Sequence, residues 1–469
     1  MVYFGYTEYS KTPKKETPMD RDDVRAREAL GTISRLFKEF KIGSLLNLSN
    51  INQTKGASPL EIFSIVFNLC FTGKNLFEGV IRNKAIRLNK RHIYGFLNNP
   101  FFNWRKLLFL FSIRIYQAFR DLTSNPDEEV LIVDDSTYDR SRSKFVELLA
   151  KVFDHNSNTF IKGFRCLTLG WSDGNSFLGL DFALLSSSQT ENRYCEADGC
   201  IDKRSCGGIR RKEAVQKATE LLPQMVNRAL TLTRVRAKRL LLDSWFSYPK
   251  VINELLDHID VICMVKNHAN VYYRYNGRQY RLSQLYNALL KRRGRAVVKA
   301  SVIVETKYGD PVRLVFVKAD NARGWLALLS TDLLLEETEI IRLYGKRWDI
   351  EVFFKMCKQH LKLVKEVQLR NFDGLIAHTT VVMMRYNLLS YERRMNVDLR
   401  SYSDVFREFF DELANLSFID ALSRILMSAI EQIRKSKQLS ESIIGSIFDI
   451  IMSSTIRYFN LGPRQPLLC

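Results

Sequence analysis

Apolar positions in the first quarter of the chain recur at the spacing typical of helices. The pattern predicts one helix over residues 23–40 and a second that begins at Ser58, with Pro59 at its first position. A third predicted helix starts after Asn103. Turn-forming residues then interrupt the pattern, which predicts a helical N-terminal domain over residues 1–125.

After residue 125 the pattern changes to short apolar runs typical of strands. Two of these runs are joined by the turn sequence 172–175, which predicts a hairpin. Later runs alternate with helical stretches, as in sheets of mixed direction. The predicted strands are 130–133, 164–171, 177–185, 239–242 and 261–265, and the predicted helices are 210–230 and 249–256. The pattern therefore predicts an α/β core, with a mixed five-stranded sheet and helices.

The rest of the chain continues this core and then becomes helical. Residues 270–332 carry further strand-like runs, which we interpret as a β-rich insertion. A long helix is predicted over residues 335–361, and helical spacing continues from about residue 381 to the C-terminus. These limits predict a core domain over residues 126–385 and a helical C-terminal region over residues 386–469.

The charge of the chain favours a polyanionic partner. Its 71 Lys and Arg residues outnumber 51 Asp and Glu residues, which gives a formal net charge of +20. Such an excess suits DNA, RNA or an anionic membrane surface. However, no apolar run approaches the roughly 18 residues of a membrane span, and the N-terminus lacks the apolar region of a signal peptide. The eight scattered cysteines fit a reducing cytoplasm, and no phosphate-binding loop indicates a nucleotide cofactor.

A basic stripe lies within the N-terminal part. Residues 82–120 contain nine Lys and Arg residues and no Asp or Glu, and aromatic residues are interleaved with them. Such a stripe neutralises phosphates in DNA-binding proteins, whereas the alternative is a solvated basic face over a helical core. Because acidic counterweights are missing, we expect Arg87, Lys90 and Arg91 to contact DNA.

Two aspartates follow apolar strands that we expect to be neighbours. Asp135 comes after the run 130–133, and Asp243 comes after the run 239–242. Carboxylates at the ends of adjacent buried strands point into one crevice, where α/β sheets place their sites. Asp134 stays open as an alternative to Asp135, since adjacent side chains point to opposite faces if the strand continues.

A third carboxylate lies on the predicted helix 335–361. At about 100° per residue, Tyr344, Arg347, Glu351 and Lys358 fall within about 60° on one helix face. The alternative for this face is an exposed ladder of i,i+4 ion pairs. With the two aspartates, however, Glu351 completes a set of oxygen ligands that Mg²⁺ prefers, and paired ions of this kind promote phosphoryl transfer. Arg347 and Lys358 would bind the flanking phosphates, and Tyr344 would donate a hydrogen bond to another.

The same helix resembles a family signature. The pattern Y-(2)-R-(3)-E-(6)-K is typical of the insertion-sequence family 4 DDE transposases, and this helix meets every spacer. The segments that are similar to the family's first and second catalytic aspartates are Asp135-Ser136-Thr137 and Leu241-Leu242-Asp243-Ser244. The resemblance covers about residues 128–385 well and is one of general layout outside them.

The resemblance implies a ribonuclease H-like catalytic core in which Asp135, Asp243 and Glu351 hold Mg²⁺, for which Mn²⁺ can substitute. It implies cut-and-paste transposition through hairpin ends. The implied partner is double-stranded DNA, at the transposon ends and at the target, bound by a dimer in a synaptic complex. In this interpretation residues 1–125 bind DNA, residues 386–469 contact DNA or dimerise, and the protein is bacterial, cytoplasmic and nucleoid-associated.

One further residue follows from the resemblance. In related hairpin-forming transposases a tryptophan holds a flipped base, and Trp325 lies at a similar place before Tyr344. The alternative is a core tryptophan on a strand. Two other functions also stay open, namely a catalytically silent DNA-binding repressor of transposition and a structure-specific nuclease with the same core fold.

Overall fold

The computed structural model describes residues 31–52, 56–82, 88–154, 157–293, 296–318, 324–396, 400–436 and 440–459. The chain divides into two compact units, of which one combines residues 1–39 with 407–469 and the other comprises residues 40–406. In these described ranges no helix is both long and apolar enough to cross a membrane.

Helices come first along the chain, as the hydrophobic spacing predicts. They are α1 (Thr32–Glu39), α2 (Ile42–Leu48), α3 (Pro59–Asn68), α4 (Lys90–Leu97) and α5 (Trp104–Arg120). Pro59 is the first residue of α3, where its missing N–H costs no hydrogen bond. The side chain of Asn103 caps α5 by accepting a hydrogen bond from the backbone N–H of Lys106. Residues 23–30 of the first predicted helix lie outside the described residues.

Eleven strands of the larger unit form one sheet. They are β1 (Val130–Asp139), β2 (Ala150–Asp154), β3 (Thr159–Ser172), β4 (Phe177–Leu185), β5 (Arg239–Leu242), β6 (Asp260–Val265), β7 (Tyr272–Tyr275), β8 (Arg278–Arg281), β9 (Val298–Glu305), β10 (Pro311–Lys318) and β11 (Trp325–Ser330). The later helices are α6 (Cys206–Ala214), α7 (Ala218–Thr233), α8 (Pro249–Leu256), α9 (Leu282–Ala288), α10 (Glu337–Gly345), α11 (Trp348–Gln359), α12 (Phe372–Met395), α13 (Tyr402–Ser436) and α14 (Glu441–Tyr458).

The core of the sheet has the order β4-β3-β1-β5-β6. Strand β3 runs antiparallel to both β1 and β4, whereas β5 runs parallel to β1 and to β6. Gly174 supports the hairpin between β3 and β4, because its φ of 87° is a conformation that few other residues adopt. The predicted mixed sheet with helices is confirmed, and its strand order is consistent with a ribonuclease H-like core.

The strands of residues 270–332 extend this same sheet. Strand β11 pairs antiparallel with β6, and β10, β9, β7 and β8 follow outward in that order. The predicted strand-like runs therefore join the core at the edge of β6. The predicted domain limits at residues 125 and 385 stay predictions, and α12 runs across residue 385.

Three elements differ from the hydrophobic pattern. Strand β1 continues to Asp139, six residues beyond its apolar run, because it stays paired with β3 along its whole length. The predicted helix 210–230 is two helices, α6 and α7. The predicted helix 335–361 is also two helices, α10 and α11, separated by Lys346 and Arg347.

Helices pack on both faces of the core sheet. On one face, the indole of Trp171 contacts Tyr116 and Phe119 of α5, with ring centroids 5.3 and 6.2 Å away. On the other face, Phe164 of β3 lies 5.9 Å from Phe372 at the start of α12. The sheet is thus buried on both sides, which leaves its strand ends as the accessible edge.

The smaller unit is helical in its described part. Its buried residues Ile419, Phe448 and Met452 form a common cluster between α13 and α14. At the N-terminal side, the backbone N–H of Thr32 donates a hydrogen bond to the Glu412 carboxylate at 2.5 Å.

Candidate active site

Asp134, in the middle of β1, and Asp243, directly after β5, lie side by side. The two strands are parallel, and their register pairs Val133 with Leu242. The next residues along each strand are Asp134 and Asp243, so their side chains project to the same side of the sheet. The charge of Asp243 in turn acts on Asp134.

Asp135, the predicted first carboxylate, faces the other way. It lies inside β1 and not after it, so the alternation of a strand sends its side chain to the opposite face from Asp134. There its carboxylate forms an ion pair with Arg165 of β3. The geometry places Asp134, the alternative, beside Asp243, and the metal-ligand role of Asp135 stays a prediction.

The third carboxylate reaches the site from the helix pair α10–α11. Lys346 and Arg347 separate the two helices but keep helical backbone angles, so the predicted face carries across the break. The guanidinium of Arg347 donates to Asp134 Oδ2 at 2.9 Å and also contacts the carboxylate of Glu351. Arg347 therefore links the carboxylates of β1 and α11.

Burial sets the electrostatics of this arrangement. It raises the pKa of Asp134 to about 7, because the cost of desolvating the charge outweighs the attraction of Arg347. The nearby charges of Asp135 and Asp243 act in the same direction. Burial also raises the pKa of Tyr344 well above its ordinary value, and the charges of Arg347 and Asp243 reach its phenol. Four predicted residues thus meet here, namely Tyr344, Arg347, Glu351 and Asp243, together with Asp134.

Lys358 lies two turns further along α11. Burial lowers the pKa of its ammonium, and the nearby groups that act on it include Cys166 and Asp154. Cys166 pairs with Ser136 in the β1–β3 register, so it lies on the same sheet face as Asp134. Lys358 therefore faces the strand that carries the candidate carboxylate, as the helix pattern predicts.

The junction between α10 and α11 is fixed by polar contacts with residues next to the sheet strands. Lys346 donates to the carbonyl oxygen of Glu128 at 2.6 Å. Ser172, the last residue of β3, donates to the Asp349 carboxylate at 2.6 Å. These contacts hold the residues on either side of Arg347 and so define where Glu351 points.

The C-terminal end of α11 is held by a buried arginine of α12. Arg385 is fully buried and donates to the carbonyl oxygens of Leu361, Val66 and Phe67 at 3.0, 2.5 and 2.9 Å. Glu366 neutralises it at 2.7 Å. Arg385 thus binds carbonyl oxygens in the last turn of α3 and just beyond α11, where helix ends leave acceptors available.

The donor set suits a hard divalent cation. Among the described residues, no three His, Cys, Asp or Glu side chains are arranged to hold a metal ion as they stand. In this site the guanidinium of Arg347 contacts Asp134 and Glu351 and supplies the positive charge that they need. The donors themselves are carboxylates alone, the ligands of Mg²⁺ and Mn²⁺, so the chemistry of the residues fits such an ion.

The predicted basic stripe has an exposed part and a part that contacts other residues of the protein. Lys90 and Arg91 are exposed at the start of α4, and the Lys90 ammonium lies 5.5 Å from the Tyr94 ring. Arg87 lies outside the described residues. Arg105, by contrast, forms an ion pair with Asp181 at 3.2 Å, and Arg114 contacts the carbonyl oxygen of Phe40. Part of the stripe therefore serves internal packing.

Trp325 begins β11 and is half-buried in an aromatic cluster. Its ring lies 4.7 Å from that of Tyr286 and 5.1 Å from that of Phe316. These are the contacts of a packed side chain, and they leave only part of the ring for a base. The proposed role in holding a flipped base stays a prediction.

The sequence reasoning missed an aromatic residue beside the carboxylates. Trp245 stands two residues after Asp243 and is 38% exposed. Arg165 of β3 and Lys266, which follows β6, each lie 5.5 Å from the centroid of its indole ring. The adjacency of Trp245 to Asp243 was a visible signal, but nothing in the sequence brings Arg165 and Lys266 to it.

Comparison with known proteins identifies the family of the chain. A family model described as DDE superfamily endonuclease matches residues 59–295, about half of the chain, and a model described as transposase DDE domain matches residues 213–388. A solved piggyBac transposase synaptic complex with hairpin DNA is similar over 88% of this chain and 78% of that chain, at 14% identity and a TM-score of 0.43, which is too low to establish the fold. No curated protein matches the chain. The chain belongs to the DDE superfamily of endonucleases, and its catalytic part is of the DDE transposase type.

Proposed function

We propose that this protein is the transposase of a mobile DNA element of insertion-sequence family 4, which it excises and inserts by cut and paste. The observation that carries the proposal is the in-register pair of Asp134 and Asp243, with Arg347 and Glu351 of the signature helix beside it. Paired, half-buried carboxylates on neighbouring strands have no use in a protein that only binds DNA. The inverted repeats of the element and the target DNA are the proposed partners, bound by a dimer.

Asp134, Asp243 and Glu351 are the proposed ligands of Mg²⁺ or Mn²⁺. When bound, such an ion supplies Lewis-acid activation of an attacking water or 3′ oxygen in phosphoryl transfer. With their charge balanced in this way, Asp134 and Glu351 no longer require Arg347. Its guanidinium is then available to bind a DNA phosphate in bidentate fashion, and Lys358 binds another as a point charge.

Tyr344 is the proposed hydrogen-bond donor of the site. Its raised pKa keeps the phenol protonated at neutral pH, so it donates to a phosphate oxygen without carrying charge. Excision through a hairpin at the transposon end is the proposed route, in which the freed 3′ oxygen attacks the opposite strand. Lys90 and Arg91 of α4 are the proposed contacts with end DNA, together with Arg87.

The test uses a plasmid that carries the gene with its native flanking DNA. We expect the purified protein to nick and excise it with Mg²⁺, and to stop when EDTA removes the metal. Asp134→Asn, Asp243→Asn and Glu351→Gln should each abolish cleavage while DNA binding survives, because such ligands act as a unit. Glu339→Gln is the matched control, since this carboxylate of α10 pairs with Arg342 and not with Arg347.

The other outcomes separate the alternatives. Binding without cleavage by the wild-type protein would identify a repressor, and cleavage without strand transfer would identify a nuclease. Normal Mg²⁺-dependent nicking by any one of the three variants would remove that residue from the site.

A further inference from the structure

A basic and aromatic cluster lies beside the candidate carboxylates and has no part in the chemistry proposed so far. It consists of Trp245, Arg165, Lys266 and Asp135, and we call it the Trp245 cluster. Two cations, Arg165 and Lys266, each lie 5.5 Å from the centroid of the same indole ring. Cations at this distance are attracted to the negative face of the ring, so the indole holds both of them in place.

Asp135 holds Arg165 from the other side. Its carboxylate forms an ion pair with the guanidinium, and the two side chains share the sheet face opposite Asp134. The Arg165 side chain remains 25% exposed, although its Nη2 atom is buried and has no hydrogen-bond partner among the described residues. Arg165 is therefore oriented by two neighbours, and part of its side chain remains at the surface.

The place of the cluster in the fold is specific. Trp245 follows Asp243 at the end of β5, and Lys266 follows the last residue of the parallel neighbour β6. Next to them Tyr248 and His268 stack with ring centroids 5.4 Å apart. The middle of β1 and the carboxyl ends of β5 and β6 thus carry carboxylates on one sheet face and cations with aromatic rings on the other. Alternating cations and aromatic rings are the surface that a nucleic-acid strand contacts.

We propose that the Trp245 cluster binds two neighbouring backbone phosphates of the DNA strand that flanks the scissile phosphate. Arg165 contacts one and Lys266 the other, Trp245 holds the two cations together, and Asp135 is a positioning residue that orients Arg165. This inference rests on the proposed function for its ligand. It also assigns a role to Asp135 that differs from the metal ligand predicted from the sequence.

The test measures DNA binding in EDTA, so that catalysis has no influence on it. A fluorescein-labelled 30-bp duplex of the element's end is titrated at 50–200 mM KCl, and the slope of log affinity against log salt is recorded. Arg165→Ala and Lys266→Ala should each lower this slope by about one unit, since each lost phosphate contact contributes about 0.9. Between 50 and 200 mM KCl, the affinity of a variant that lacks one contact should therefore fall about 3.5-fold less than the affinity of the wild-type protein.

Lys307→Ala is the matched control. Lys307 lies 4.8 Å from the ring of Tyr308 in the turn between β9 and β10, so it has the same cation–ring geometry away from the carboxylates. Its slope should equal that of the wild-type protein. Arg165→Lys keeps the positive charge and should keep the wild-type slope. This variant separates the loss of a charge from any misfolding caused by Arg165→Ala. The proposal would be overturned if Arg165→Ala and Lys266→Ala had the same salt slope as Lys307→Ala and the melting temperatures were unchanged.

Asp135→Asn tests the positioning role. We expect slower but still metal-dependent plasmid nicking, with a reduced salt slope, because Arg165 is no longer oriented. Complete loss of nicking with an unchanged slope would make Asp135 a metal ligand and overturn this role. The proposed function is judged separately by Asp134→Asn, because failure there leaves the salt slopes in EDTA unaffected.

Discussion

Replacement of Asp134 by Asn should stabilise the metal-free protein while it abolishes cleavage. Burial raises the pKa of this carboxyl from 3.8 to about 7, so the folded protein holds the proton more tightly than the unfolded chain does. Between about pH 4 and pH 7 the unfolded chain loses the proton first, and stability falls as the pH rises. Above about pH 7 the carboxyl is deprotonated in both states, and the fall in stability is complete. At about 1.4 kcal/mol per pKa unit, a shift of about three units amounts to at most about 4 kcal/mol. An asparagine has no charge to bury and avoids this cost.

The assay is urea unfolding in EDTA at pH 4, 6 and 8, followed by tryptophan fluorescence. The midpoint of Asp134→Asn should match the wild-type midpoint near pH 4 and exceed it increasingly up to pH 8. Glu128→Gln is the control, because Arg342 and Lys346 lower the pKa of this carboxyl to about 2, so its removal should give no gain that grows with pH. In Mn²⁺ at pH 8 the wild-type protein should gain stability and Asp134→Asn should not. A less stable Asp134→Asn protein at pH 8, or a gain independent of pH, would refute the reasoning.

Three further predictions concern other parts of the larger unit. Replacing Lys90 and Arg91 by Ala should lower the salt slope of end-DNA binding by about one unit per lost phosphate contact, and an unchanged slope in the anisotropy titration would place α4 away from DNA. Trp325→Ala should lower the melting temperature and slow nicking and hairpin formation alike, because the ring is packed. In a time course, a loss confined to hairpin formation would instead show that Trp325 holds a base. Arg385→Met should cost about 3–5 kcal/mol in urea unfolding, because Glu366 is left buried without a counter-charge, and Glu366→Gln in the same chain should recover part of it; no recovery would contradict the ion-pair explanation.

Local patterns in the sequence determined much of this protein. The apolar runs before Asp134 and Asp243 predicted β1 and β5, because a buried strand needs continuous apolar residues. The helix spacing brought Tyr344, Arg347 and Glu351 to one face, and this face persists across the break because both intervening residues keep helical angles. These features depend on residues close together in the chain, which is why they could be predicted.

Tertiary structure alone placed Asp134, and not Asp135, on the sheet face of Asp243. The run 130–133 is apolar at every position, since β1 is buried on both faces, and it shows no alternation that would reveal where Asp134 and Asp135 point. The choice follows from the register of β1 against β5, more than 100 residues later in the chain, and from pairing with β3 that extends β1 past both aspartates. The contacts of Arg165 with Asp135 and Trp245 arise in the same way, because sheet pairing and not sequence spacing brings distant residues together.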